Sequence, residues 1–278
     1  MKGGAEMAEY SVLMSVYYKE KPAYFRSAIQ SMLDQTVKTN DFVLVCDGPL
    51  TDELEDVISW AQAMLGDMLT IVRIPQNSGL GNALNKGLTR CRNELVARMD
   101  TDDVSLPDRC ERQLEAFEAH SDISIVSGIV EEFFDDVNTV TARRVLPEKD
   151  DEIRKFAKTR NPFNHPCVMF KKSAVENAGG YQDMHLLEDY YLWVRMLLNG
   201  EKGMNLSCPL IRMRAGLDMY RRRGGIKYIA SQKKLFSYMR EKKMISSCEY
   251  LKNIAMRFCS GIVPGKIRYL LYLVLLRK

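Results

Sequence analysis

Apolar residues in the first half of the chain fall into short unbroken runs separated by stretches with helical spacing. Ser11 to Tyr17 (SVLMSVY) and Phe42 to Gly48 (FVLVCDG) are unbroken runs. Runs of this length fit strands buried on both faces of a parallel sheet. Leu69 to Ile74, Glu94 to Asp100 and the segment ISIVSGIVEEF from Ile123 predict three more strands. Between them, Pro22 suits the first turn of a helix, and AYFRSAIQSMLDQ continues with helical spacing. Asp52 to Leu65, Ala83 to Cys91 and a segment opened by Pro107 predict further helices. The order βαβαβαβαβ implies an α/β fold: a doubly wound, mostly parallel sheet with right-handed crossovers. Such sheets bind ligands outside the carboxyl ends of their strands. That rule selects Tyr17 to Glu20, Asp47, and Asp100 to Asp103 for chemical scrutiny.

The second half is mixed. A hairpin is expected over Phe133 to Val145 and a short helix near Asp151 to Lys158. NPFNHPCVMF enters another strand, and EDYYLWVRMLLNG reads as a helix closed by glycine. Strands are expected near Gly203 to Leu206 and Leu210 to Arg214, followed from Gly225 by two or three basic helices. The expected organisation is a catalytic domain over 1–218 and a basic helical extension over 219–278. Within the first, 10–135 would be the nucleotide-binding part and 136–218 the acceptor part.

Charge sharpens this division. The overall +4 combines +13 over 219–278 with −9 over the rest. A basic block seeks phosphates in nucleotides, nucleic acid or lipid headgroups. The run Ile267 to Leu276 is apolar apart from Arg268 and is flanked by Lys266 and Arg277-Lys278. It is shorter than the ~20 residues a bilayer-spanning helix needs. It fits a segment lying in a membrane interface, with a packed terminal helix as the alternative. Seven dispersed cysteines without a CxxC pair suggest reduced thiols, and no apolar N-terminal signal segment is apparent. The expected location is therefore cytoplasmic, peripheral on the inner face of the membrane. A nucleic-acid partner is not expected, because it would leave the acidic residues without a role; oligomeric state is not legible.

Asp100-Thr101-Asp102-Asp103 at the end of a strand crowds carboxylates that repel one another unless a cation joins them. Mg2+ or Mn2+ takes such oxygen ligands together with substrate phosphates. An acidic helix cap for the segment at Pro107 is the plainer reading. Asp47-Gly48 could equally be a turn after any strand.

Five ordered motifs then carry a resemblance. They are SVLMSVYYKE, VCDGPLTDE, Asn77-Ser-Gly79-Leu-Gly-Asn-Ala83-Leu-Asn85-Lys-Gly87, Asp100-Thr-Asp102-Asp103 with Pro107-Asp-Arg109, and Glu188-Asp189-Tyr-Tyr-Leu-Trp193-Val-Arg195. Over Ser11 to Arg195 the chain resembles the family 2 inverting glycosyltransferases. These have the GT-A fold, of the nucleotide-diphospho-sugar transferase type. The departures are Ser15 and Val16 in the first turn, Pro49 after Asp47-Gly48, and Tyr191 where an acid is often found.

The resemblance implies transfer of a sugar, with inversion, from a nucleotide-diphosphate donor to a glycan or lipid-linked acceptor. UDP-sugar is the default donor, Mn2+ or Mg2+ the cofactor, and bacterial capsule, exopolysaccharide or O-antigen synthesis the setting. It assigns Val16, Tyr17, Glu20, Asp47, Asn77, Gly79, Asn82, Asp100 and Thr101 to the nucleotide-sugar, and Asp102 with Asp100 to the metal. Asp103 would support the cluster or cap a helix. Asp189 would be the general base, with Glu188 beside it; both also suit a helix N-terminus. His165 and Tyr181 are acceptor-side candidates. Arg221, Arg222 and Arg223, with Arg212 and Arg214 behind them, are diphosphate candidates. Asn85, Gly87 and Trp193 read as packing residues, and His120 and His185 as surface residues. A sugar-nucleotide pyrophosphorylase is the runner-up, disfavoured because YYKEKPAY is not glycine-rich. An inactive nucleotide-sugar-binding relative is the third reading.

Overall fold

The computed structural model describes residues 8–216 and 225–262. Nine strands form a single sheet, in the order β3-β2-β1-β4-β8-β6-β9-β5, with β7 paired to β6. The first four strands are β1 (Tyr10–Val16), β2 (Asp41–Asp47), β3 (Leu69–Ile74) and β4 (Leu95–Met99), all mutually parallel. Helices α1 (Pro22–Leu33), α2 (Asp52–Leu65) and α3 (Leu80–Leu88) connect them. The doubly wound, mostly parallel sheet expected from the apolar runs is present.

Alternation along the strands explains the two layers. Val12, Met14, Phe42, Leu44 and Cys46 face one core with Phe25, Ile29, Leu54 and Ile58 of α1 and α2. Leu13, Val43 and Val45 face the other, with Ala83 and Leu84 of α3 and with Leu192 and Trp193. A Cβ on Gly87 would lie 2.4 Å from Leu13 Cδ1 and 2.6 Å from Val45 Cγ2, so α3 seats on the sheet because this position lacks a side chain.

The remaining elements are β5 (Val104–Ser105), α4 (Arg109–Ala119), β6 (Ile123–Phe133), β7 (Ala142–Arg144), α5 (Asp150–Ala157), β8 (Met169–Lys171), α6 (Lys172–Asn177), α7 (Glu188–Leu198), β9 (Lys202–Arg214), α8 (Ile226–Glu241) and α9 (Ser247–Ile262). β8 inserts antiparallel between β4 and β6. The two strands expected over 203–214 are one, β9, running parallel to β6 with register shifts opposite Gly128 and Ile129. Pro209 opposite Ile129 accounts for the apparent break, because proline cannot donate to the ladder. α8 packs on α7 through Leu235, Phe236 and Met239 against Tyr190 and Val194, with Leu187 before α7 and Ile245 before α9 in the same cluster and Tyr250 and Ile254 of α9 packed against it.

Candidate active site

The carboxyl ends of β1, β2 and β4 meet the N-termini of α3 and α7 at one edge of the sheet. Asp47 closes β2 and is buried, and its carboxylate organises the next loop. It accepts hydrogen bonds from Ser78 N–H (2.7 Å), Ser78 Oγ (3.0 Å), Gly79 N–H (3.0 Å) and Asn77 Nδ2 (3.1 Å). Gly48, at φ +94°, lets that loop approach: a Cβ there would lie 2.8 Å from Asn77 N. Asn77, Gly79 and Asn82 are exposed on the rim, with Gly79 capping α3 at φ +86°. Asn82 Nδ2 donates to Ser78 O at 2.9 Å.

Val16 is fully buried in the core, so only its backbone is available at the rim. Tyr17 and Tyr18 are exposed there, edge to face at 5.8 Å. Glu20 Oε2 accepts from Thr101 Oγ1 at 2.6 Å, tying the turn after β1 to the acidic segment.

Asp100, Asp102 and Asp103 each offer a carboxylate oxygen, all within 4.8 Å of one another. Their surroundings differ. Asp100 forms a two-pronged ion pair with Arg98, which is 1% exposed. Asp103 is buried and accepts the Arg214 backbone N–H at 2.8 Å. Asp102 is half-buried, and among the described residues no side chain donates to it. Burial, then the charges of Asp100 and Glu20, push Asp102 up to about 7. Burial and the Asp102 and Asp100 charges likewise hold Asp103 well above the usual carboxylate range. Helix α4 starts at Arg109 behind Asp108, so none of the three carboxylates caps it. An all-oxygen set with repelling charges has the chemistry of a hard divalent-cation site, and the residues present fit one.

Arg98 was not singled out from the sequence. The available signal was a charged residue within the apolar β4, two positions before Asp100, which follows the end of that strand. Arg109 is also buried and donates to Arg98 O at 2.6 Å, joining the Pro107-Asp-Arg109 motif to the same edge. Arg214 stacks its guanidinium 3.6 Å from the Tyr24 ring centroid and donates to Asp102 O at 3.3 Å. Arg212 instead lies 3.5 Å from Glu131. Arg221, Arg222 and Arg223 lie outside the described residues, as does the run from Ile267 to Leu276.

A second group of site residues comes from the second half of the chain. His165 Nε2 and Tyr181 Oη are 3.0 Å apart, beside fully buried Trp193. Burial, reinforced by Arg98, lowers the His165 pKa and keeps the ring neutral. Burial raises that of the Tyr181 phenol, which feels the charges of Arg98, Asp189 and Asp100. Tyr181 therefore lies within electrostatic reach of both the acidic cluster and α7. Asn85 fixes it there: its amide donates to Tyr181 O (2.7 Å) and accepts from Tyr181 N–H (2.8 Å). Arg195 secures the same turn by donating to Ala178 O and, at 2.7 Å, to Gly180 O.

Glu188 and Asp189 open α7, where the helix dipole favours carboxylates. Burial, opposed by its own backbone N–H and assisted by Asp189, raises the Glu188 pKa. A Cβ on Gly81 would lie 3.3 Å from Tyr181 Cβ and 3.6 Å from Glu188 Cγ, so α3 and α7 meet closely here. Asp189 Oδ2 accepts from Asn161 Nδ2 at 2.6 Å and Oδ1 from Tyr190 N–H at 2.7 Å. His120 and His185 are exposed. Tyr191 packs against Tyr238 of α8, with ring centroids 5.0 Å apart.

Residues 11–179 match the family model described as glycosyl transferase family 2. The chain belongs to that family. This glycosyltransferase is 39% identical over 264 residues to the amylovoran biosynthesis glycosyltransferase AmsE of Erwinia amylovora, covering 95% of this chain and 97% of that one. It is 36% identical over 271 residues to the UDP-Gal:alpha-D-GlcNAc-diphosphoundecaprenol beta-1,3-galactosyltransferase of Escherichia coli, covering 97% of each. Its fold is shared with two solved enzymes. One is S. aureus TarS 1-349 in complex with UDP-GlcNAc, with a TM-score of 0.65, 15% identity, and coverage of 90% of this chain and 71% of that one. The other is the mannosyltransferase PcManGT of Pyrobaculum calidifontis in complex with GDP-Man and Mn2+, with a TM-score of 0.63, 14% identity, and coverage of 97% and 81%.

Proposed function

We propose that this glycosyltransferase moves a sugar from a UDP-sugar to a hydroxyl of a lipid-linked glycan, with inversion, during assembly of a bacterial surface polysaccharide. One observation supports the mechanism: a carboxylate cluster suited to a cation is separate from the carboxylate of Asp189, which opens α7 where that helix meets Tyr181 and the start of α3. Asp102 would hold Mn2+ or Mg2+, supported by Asp100. A divalent cation held there would supply positive charge to offset that of a diphosphate leaving group. The Asn77 to Asn82 loop and the exposed Tyr17 line the nucleotide side, with Asp47 acting through the loop it pins.

Asp189 accepts the proton of the acceptor hydroxyl as that oxygen bonds to the anomeric carbon. The bond from that carbon to the diphosphate oxygen breaks on the opposite side, which inverts the configuration. His165, neutral in its setting, and Tyr181 line the acceptor side. The UDP donor and lipid-linked acceptor follow the named activity of the E. coli relative. The departure at Tyr191 does not favour an inactive relative, since that ring seats α8.

The extension over 219–278 would meet the cytoplasmic face of the membrane. Lys227, Lys233, Lys234, Arg240, Lys242, Lys243 and Lys252 are exposed on α8, α9 and the turn between them, with Ile226 and Leu251 exposed beside them. No helix among the described residues is long and apolar enough to cross a membrane.

The test is a panel of UDP-, GDP- and dTDP-sugars assayed for nucleotide release with a GlcNAc-diphospho-lipid acceptor, with and without Mn2+. Cation-dependent release from a UDP-sugar is expected. Absence of binding and turnover for every donor would reject the reading.

A further inference from the structure

We propose that Asn161 is the positioning residue that aims Asp189, an inference that rests on Asp189 being the base. The loop leading out of α5 is anchored at three consecutive residues. Pro162 O accepts from Asn205 Nδ2 at 3.0 Å. Phe163 is 2% exposed, edge to face with Trp193 at 5.9 Å, and fills the space left by Gly203, where a Cβ would lie 2.3 Å from Phe163 Cζ. Asn164 donates from Nδ2 to Gly128 O at 2.9 Å and from N–H to Ser127 Oγ at 3.1 Å. The loop is thereby fixed to β6 and β9, and Phe163 also seats it against Trp193 of α7.

Asn161 projects from that fixed loop. Its Oδ1 accepts the Phe163 N–H at 3.4 Å, which turns the amide so that Nδ2 faces Asp189. The bond from Nδ2 to Asp189 Oδ2 is 2.6 Å, a charge-assisted contact between segments 28 positions apart. Asp189 Oδ1 is held from the other side by the Tyr190 N–H at 2.7 Å. These two bonds, one on each oxygen, orient the carboxylate. A donor to the ionised form also keeps the group ready as a base. Asn161 touches neither donor nor acceptor in this account; it acts through Asp189. A donor on a loop braced against β6 and β9 holds a carboxylate more rigidly than rotamer preference alone.

Two variants test this, with the donor that succeeds in the panel above. Asn161→Ala removes the donor and should lower kcat roughly tenfold or more, the usual range for a hydrogen bond to a charged group. Asn161→Asp keeps size and shape but sets a second carboxylate against Asp189, and should lower kcat further. Both should leave the Kd for UDP with Mn2+ and the melting temperature near wild type. A merely structural asparagine would tolerate the isosteric aspartate better than alanine, so the order of the two variants decides the role. Wild-type kcat in Asn161→Asp, or equal losses of kcat and UDP binding in both variants, would overturn the proposal. Asp189→Asn is the control: if it retains transfer, the base assignment fails first. If it loses transfer while the Asn161 variants do not, only the positioning role fails.

Discussion

The two walls of the site are built by different means. The wall proposed for the donor is a product of the parallel sheet: Asp47, Asp100 and the Asn77 to Gly79 loop stand where strands end, and Asp47 at the end of β2 pins the loop that follows β3. The wall proposed for the acceptor consists of a loop, a turn and a helix start. Long-range side-chain bonds hold it together: Asn85 to Tyr181, Arg195 to the Gly180 turn, Asn161 to Asp189. The donor wall is therefore a strand-end scaffold, and the acceptor wall an assembly of anchored loops. A transferase that keeps one donor chemistry while changing acceptors would divide its structure in this way.

The difference can be broken from either side. The largest effect is expected at Asp102→Ala, which should lower cation-dependent turnover by roughly 10²–10³-fold while the fold persists by circular dichroism. Gly87→Val should act on the donor scaffold alone, because its side chain would strike Leu13 and Val45. A loss of about 3 kcal/mol in denaturant unfolding is expected for such overpacking.

The pH dependence comes next. Asp102 is pushed up to about 7, so the folded protein without cation binds a proton that the unfolded chain releases near pH 4. Its stability should fall as pH rises from about 4 to about 7. Across that window the melting-temperature gain from Mn2+ should grow and then level off, because the cation competes with the proton. The smallest effect is expected at Asn85→Ala, which cuts the link between the walls at a cost of about 1–2 kcal/mol. It should raise the KM for the acceptor more than the Kd for UDP. Equal changes in both would mean that the walls are not separable.

Legibility followed the same division. The strands of the donor wall were readable because Leu13, Val43 and Val45 alternate with Val12, Leu44 and Cys46 between two cores, which produces unbroken apolar runs. Their ends marked Asp47 and Asp100 to Asp103. Asp47 itself was readable as a position, while its work of pinning Ser78 and Gly79 was not, since the partners lie about thirty residues on. Arg98 was hidden because a charged residue inside an apolar strand looks like an interruption until its pairing with Asp100 is seen. Asn161 and Asn85 were hidden for a different reason. Their partners are 28 and 96 positions away, and no periodicity encodes a contact of that kind. The split reading of β9 had a local cause, proline at 209 within a strand that continues through it.

In the proposed mechanism proton acceptance and donor binding reside in separate groups, Asp189 and the acidic cluster. Titration of UDP with Mn2+ into Asp189→Asn, alongside its transfer rate, tests this most directly. UDP affinity should stay within about twofold of wild type while kcat falls by at least about a hundredfold. Undiminished transfer, or loss of UDP binding together with transfer, would contradict it.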